Sequence, residues 1–412
     1  MKEKTQIIDL TIETPETPKM KTRSVLLGAA FLMATSSIGP GFLTQTTVFT
    51  QQLAASFAFV ILISLILDVF VQVNVWRIIA VSGLRGHEIA DKVLPGLGLL
   101  LSILIVIGGL AFNIGNVAGA GLGLNAMLGL HPVVGAVISS IFAIMIFLIK
   151  EAGHVMDKLT QIAGGIMILL MLYVAFTTSP PVGDAVINTF KPETIDIFAI
   201  VTLVGGSVGG YITFAGGHRL LDAGIKGAHS LPEVTKSSVT GIVVAGVMRV
   251  ALFLAVLGVV SQGLAIDSGN PAASVFELAA GNVGYRIFGV IMWAASITSV
   301  VGAAYTSVSF IRTLHPIIEK YQNIVIILFI IVSSGTFALI GKPVNVLILA
   351  GALNALVLPL ALGTILIGAY KKDVVGDYKQ PLWLTIAGVI VVLGMSYLAI
   401  LTVLEQIPKL LG

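Results

Sequence analysis

Apolar runs of about eighteen uncharged residues or more follow one another through almost the whole chain. Short segments between them carry nearly all of the Lys, Arg, Asp and Glu. Such runs leave few options. In lipid each backbone N–H and C=O must be satisfied within its own segment, so every run is expected to be a spanning helix. With 57% hydrophobic and only 10% charged residues, the chain has too little polar surface to cover a soluble domain of 412 residues. The mean hydropathy of +1.04 says the same. Its 45 glycines would weaken soluble helices, but in a membrane they permit close helix contact and local unwinding beside a cavity. Zero cysteines exclude disulfides, thiolate metal sites and Cys nucleophiles.

The pattern predicts eleven spans, at 25–50, 53–79, 96–125, 132–149, 159–178, 196–221, 237–262, 284–307, 323–341, 343–370 and 382–404. Residues 1–23 are polar, carry Pro15 and Pro18, and are expected to form a disordered cytoplasmic tail rather than a cleaved leader. Counting Lys and Arg by loop supports this topology. With a cytoplasmic N-terminus, 18 fall inside and 4 outside (Lys191, Arg286, Lys342 and Lys409), leaving Arg249 within a span. The odd span count then puts the C-terminus outside.

Two spans are unlike the rest. The first contains Ser36-Ser37-Ile38-Gly39-Pro40-Gly41-Phe42, a proline between two glycines near mid-membrane, followed by Thr44, Gln45, Thr46 and Thr47. Proline removes an amide donor and clashes with the preceding turn, so a continuous helix is not expected there. The sixth contains Gly205-Gly206-Ser207-Val208-Gly209-Gly210-Tyr211, then Thr213 and Gly216-Gly217-His218, a second break at a similar depth. Each break opens a group of five helices, and because five is odd the second group enters the membrane in the opposite sense. This is the signature of an inverted repeat with its solute site between two unwound helices. The expected fold is therefore all-α and integral to the membrane, of the leucine-transporter type with broken helices 1 and 6. The first repeat spans 24–178, a loop at 179–195 lies outside, the second repeat spans 196–370, and residues 371–412 hold a loop, an eleventh helix and the C-terminus. A plainer account of either break alone is tight packing of small residues.

The residues resemble the natural-resistance-associated macrophage protein family of transporters over most of the chain. Phe31-Leu32 through Gly39-Pro40-Gly41 looks like the family's first helix, Gln72 through Trp76-Arg77 and Ser82-Gly83 like the end of its second, and Gly119 through Leu124-Asn125 like its third. Gly205 to Gly217 falls where the family keeps its second signature. The resemblance implies an Asp-Pro-Gly-Asn metal motif in helix one and Met-Pro-His in helix six, yet here stand Gly39-Pro40-Gly41-Phe42 and Gly209-Gly210-Tyr211. The family's acidic pair on helix three, associated with proton movement, appears as Asn113 and Asn116. A desolvated divalent ion needs several oxygen, nitrogen or sulfur ligands, and backbone carbonyls alone do not neutralise it. A metal site is accordingly not expected. The run Gly-Pro-Gly-Phe-Leu-Thr-Gln-Thr is similar to a divergent bacterial branch associated with 5-oxoproline breakdown, which implies a small lactam or amino-acid-like carboxylate as substrate.

Exposed amides at half-helix ends suit a carboxylate. The candidate donors are the amides of Gly41 and Phe42, with Gly39 beside them and Gly209 and Gly210 facing them; Phe42 and Tyr211 would form an apolar floor and lid. Ser36, Ser37, Thr44, Gln45 and Thr213 would add hydrogen bonds, or else satisfy carbonyls of their own helices. Charge inside lipid is expensive and often functional. Asp68 in span two and Arg249 in span seven are read as a protonatable coupling residue and its counter-charge, or as a structural ion pair. Asn113, Asn116 and His218 complete the pathway candidates, His218 being a gate or a positive-inside anchor.

The substrate is thus expected to be a small organic carboxylate crossing a bacterial inner membrane with proton or sodium coupling. A divalent cation (Mn²⁺ or Mg²⁺) is the first alternative and a channel the second. The six His residues form no HExxH pattern, so no enzyme is expected. No cofactor and no nucleic-acid partner is expected; the partners are the solute and the bilayer.

Overall fold

In the computed structural model, which describes residues 38–311 and 316–406, the chain is a bundle of helices. In chain order these are α1 (Pro40–Leu53), α2 (Phe57–Ser82), α3 (Gly86–Val93), α4 (Leu97–Leu128), α5 (Pro132–Leu148), α6 (Lys150–Thr178), α7 (Val182–Phe190) and α8 (Ile197–Val208). They continue as α9 (Ile212–Asp222), α10 (Leu231–Ser261), α11 (Pro271–Ile311), α12 (Pro316–Lys320), α13 (Gln322–Ile340), α14 (Pro343–Gly368), α15 (Lys372–Val375) and α16 (Leu382–Leu401).

Among the described residues, eight helices or continuous helix pairs are long and apolar enough to cross a membrane, Pro40–Ser82 counting as one although α1 and α2 part at Ala54. The apolar α5 is shorter, and α6 passes into α7 through a bend of 106°. This inventory is consistent with eleven spans. Two boundaries differ from expectation. The eighth span begins at Pro271 rather than near 284, because α11 continues through a kink at Gly281 (φ 64°). The loop at 179–195 is mostly the helix α7. The reading of residues 1–23 and of Ser36 and Ser37 falls outside the described residues.

The helices are sorted as a lipid-solvated bundle requires. On α4, Leu99, Leu100, Ile103 and Ile107 are exposed while Leu101, Ile105, Gly108, Phe112 and Asn116 are buried. Polar residues face inward and large aliphatic ones outward, the reverse of a soluble helix. Close contacts use small residues: a Cβ on Gly123 would lie 2.6 Å from the Trp293 amide nitrogen, and one on Gly289 2.7 Å from that of Met127, so α4 and α11 meet nearly backbone to backbone.

Two apolar cores result. One gathers Trp76, Phe57, Phe112, Tyr211, Phe214 and Phe310 around α2, α8, α9 and α14. The other gathers Phe42, Leu43, Leu122, Phe276, Phe288 and Met292 around α4, α10 and α11. The two breaks lie along the seam between them.

Candidate functional site

The first break is the start of α1. Gly39 is extended (φ −89°, ψ −174°), Pro40 occupies the first turn, and no side chain caps the helix. Leu43 N–H reaches back to the Gly39 carbonyl at 3.3 Å. The amides of Gly41 and Phe42 have no acceptor within the helix, so the positive end of its dipole is presented at this point. Pro40 fits against α4 because residue 119 is glycine; a Cβ there would overlap the proline ring.

The second break separates α8 from α9. Gly209 is extended (φ −73°, ψ 157°) and Gly210 is left-handed (φ +52°), after which Tyr211 starts α9. Only glycine fits at 210, since a Cβ would overlap Asn354 Oδ1. Asn354 Nδ2 in turn donates to the carbonyls of Gly108 and Ala350, each at 2.9 Å, which ties α14 to α4 behind the break.

Between the breaks sits a group of buried polar atoms. Asp68 on α2 and Arg249 on α10 are 1% and 3% exposed. The Arg249 guanidinium lies 4.6 Å from the centre of the Phe42 ring, and its Nη1 donates to Ser207 Oγ at 3.2 Å. Ser207 is also in polar contact with Asp68. Asp68 and Arg249 do not form the direct ion pair that was one of the two expectations: among the described residues the one carboxylate–cation contact within 4 Å is Arg85–Asp222. Asp68 Oδ1 and Arg249 Nε have no hydrogen-bond partner among the described residues, nor do Thr44 Oγ1, Gln45 Oε1, Thr46 Oγ1 and Thr213 Oγ1. Buried polar atoms are normally satisfied, so this concentration marks a place for water or solute. By contrast Thr47 and Thr50 bond the carbonyls of their own helix at 2.9 and 2.6 Å, the plainer fate of such hydroxyls.

Gln45 Nε2 donates to the Leu347 carbonyl at 2.9 Å, and its Oε1 lies where a Cβ on Gly206 would approach to 2.9 Å. Gly39, Gly41, Phe42 and Gln45 are thereby brought together with Ser207, Asp68 and Arg249. Tyr211 and Thr213 are tied to other neighbours as well. Tyr211 packs edge-on to Phe112 at 5.6 Å and is in polar contact with Asn116, while the Thr213 carbonyl accepts from Trp76 Nε1 at 2.9 Å. Phe42 and Tyr211 belong to different apolar cores. Asn113 donates to Ser333 Oγ on α13 at 3.1 Å, away from the break. His218 accepts from the Gly86 amide at 3.1 Å and stacks on Phe310 at 4.8 Å, a packed link between α9 and α3. Ser207 and Asn354 were not singled out from the sequence. The signal for Asn354 was a lone carboxamide in an apolar span; Ser207 was hidden inside the glycine run. No group of three or more His, Cys, Asp or Glu able to hold a metal occurs among the described residues.

Comparison with known proteins gives one family. The model of the natural resistance-associated macrophage protein-like family (Nramp) matches residues 30–405. The chain is 68% identical to the Bacillus subtilis membrane protein YcsG, over 94% of this chain and 96% of that one. It is 24% identical to the divalent metal cation transporter MntH of Vibrio campbellii, over 91% and 90%. Its fold is similar to that of the Eremococcus coleocola manganese transporter, with a TM-score of 0.73 at 16% identity over 98% of this chain and 91% of that one. It is also similar to MhsT in complex with L-phenylalanine, with a TM-score of 0.63 at 16% identity over 92% and 97%.

Proposed function

The chain belongs to the Nramp family of membrane transporters, and on that premise we propose that it carries a small organic carboxylate, 5-oxoproline or an amino-acid-like solute, rather than a metal ion. The observation that carries this reading is Arg249. A buried guanidinium against Phe42, one residue beyond Gly41, puts a fixed positive charge beside the amides that open α1, which have no acceptor within the helix. Both features attract an anion. A divalent cation at the same point would meet the positive end of a helix and an arginine, with Asp68 as the one nearby carboxylate. The MhsT fold, solved with an α-amino acid, is a framework on which a carboxylate is held.

The metal reading has its own support in the likeness to the manganese transporter and to MntH, and in two unpartnered carboxamide oxygens, Gln45 Oε1 and Asn354 Oδ1. Uptake into proteoliposomes decides between them. Saturable uptake of labelled 5-oxoproline with none of Mn²⁺ or Mg²⁺ is expected; micromolar saturable Mn²⁺ uptake without any carboxylate transport would put the metal first. By the charge bias of the loops, the end of the bundle bearing Arg77, Arg85 and Lys371 faces the cytoplasm of a bacterial cell and the N-terminus lies on that side. Single cysteines in place of Lys4, Lys226 and Lys409 test this by labelling, since the chain has none of its own.

A further inference from the structure

Buried opposite charges normally meet in good geometry, because anything less leaves the cost of desolvation uncompensated. Asp68 and Arg249 do not meet. They are almost fully buried and share Ser207 between them, yet no Arg249 nitrogen lies within 4 Å of an Asp68 oxygen, and each keeps a polar atom without a partner among the described residues. Arginine offers five N–H donors in a planar fork; among the described residues Nη1 donates to Ser207 and Nε has no partner. The Phe42 ring covers one side of the group at 4.6 Å, next to the amides at the start of α1.

We propose that Arg249 is the receptor for the solute carboxylate and that Asp68 is its resident counter-ion, which must take up a proton before the carboxylate is held. The inference rests on the carboxylate reading and deepens it. Electrostatic balance in low dielectric is the reason. The empty site holds one carboxylate and one guanidinium, net zero. The loaded site holds a neutral Asp68, the guanidinium and the solute carboxylate, again net zero. A carboxylate entering without the proton leaves a buried negative charge in excess, and a divalent cation entering leaves two positive ones. One proton therefore travels with each monocarboxylate, bound to an Asp68 oxygen on loading and returned to water on release. Transport moves no net charge.

Among the described residues no other charged group lies beside this pair, and Lys158 of α6 and Glu277 and Arg286 of α11 are exposed. The described parts of α1, α8 and α14 carry no Asp, Glu, Lys, Arg or His. On α2 itself Arg77 lies about 13 Å further along the helix. His218, Arg219 and Asp222 of α9 and Glu233 and Lys236 of α10 lie toward that same end, as do Lys372 and Asp373 of α15. Asp184 of α7 is by the opposite end of α2, where Asn188 meets Ser56, and α16 presents no charged side chain. Ser207 Oγ accepts from Arg249 Nη1 and donates to the Leu203 carbonyl at 2.8 Å, so it stands between the two charges with its own proton engaged. A sodium ion in place of the proton would need several oxygen ligands beside a guanidinium.

The test uses the full chain, purified, with 5-oxoproline as probe and 5-oxoprolinamide as the analogue without a carboxylate. Binding of the acid is expected to weaken about tenfold per pH unit on the alkaline side, as release of one linked proton requires. The amide does not bind. Asp68→Asn binds the acid with an affinity that no longer changes with pH, exchanges it across liposomes, and fails to accumulate it against a gradient. Arg249→Gln loses binding by about a hundredfold or more. Asp68→Asn/Arg249→Gln, which leaves no unpaired charge and so guards against a folding defect, loses it equally. Parent uptake is unchanged when the membrane potential is clamped at different values. The proposal is overturned, with the carboxylate reading intact, if Asp68→Asn keeps the parent's pH slope, if the folded double variant binds as the parent does, or if uptake follows membrane potential or requires sodium. If the parent holds no carboxylate and takes up Mn²⁺, both readings fall together.

Discussion

Around Gly41 an added Cβ would lie 3.6 Å from Gln45 Nε2 and 3.9 Å from the Leu347 carbonyl, which are ordinary contact distances. At Gly209 it would come to 2.5 Å from the Gly205 carbonyl oxygen and 2.9 Å from the Asn354 carbonyl carbon, and at Gly210 it would overlap Asn354 Oδ1. The two breaks look like partners in the sequence, yet glycine does different things in them. In the first it leaves space beside the opening amides of α1 and a buried cation. In the second it lets backbones abut, and the Nδ2 of its polar neighbour, Asn354, holds helices together. A repeated motif thus supplies one break that can receive a solute and one that can bend.

Substitutions that treat the breaks alike should expose this difference. Gly210→Val forces a branched side chain into left-handed backbone and into Asn354, and is expected to cost on the order of 3 kcal/mol or more, seen as loss of the monodisperse peak in detergent. Asn354→Leu leaves the Gly108 carbonyl without its donor and should lower stability by about 1–3 kcal/mol in a thermal melt. His218→Ala removes the acceptor of the Gly86 amide and the stack on Phe310, for a loss of about 1–2 kcal/mol by the same measurement. Gly41→Ala should leave the stability within about 1 kcal/mol of the parent, while a methyl group beside the amides weakens 5-oxoproline binding by about tenfold or more. If Gly41→Ala is as disruptive as Gly210→Val, the first break is a packing joint as well and the site lies elsewhere.

Much of the architecture was legible because lipid imposes simple rules. Charge-free runs marked the spans, and the glycines at Gly39-Pro40-Gly41 and Gly209-Gly210 marked where α1 begins and where α8 gives way to α9. Asp68 and Arg249 stood out because charge is rare in such spans. What periodicity does not carry is which partner a side chain finds. Nothing local to Asn113 says that Ser333 receives it, and nothing in the run Gly205-Gly206-Ser207 says that the serine, rather than the glycines, stands between the two charges. The same holds for Gly119, whose absent side chain is needed for Pro40 from a distant part of the chain. Contacts of this kind depend on how helices rotate about their axes.

The half-helix α9 is fastened to α2 and α3 along its length. Trp76 donates to the Thr213 carbonyl, a Cβ on Gly216 would overlap the Trp76 ring, one on Gly217 would approach Ile79 to 2.9 Å, and Arg85 pairs with Asp222. Beyond its end the Gly227 amide donates to the Ala80 carbonyl at 2.7 Å. Mechanically these segments make one stiff piece that ends at the glycine pair 209–210. A covalent tether joining positions 79 and 217 would couple parts that already travel as one, and turnover should survive it.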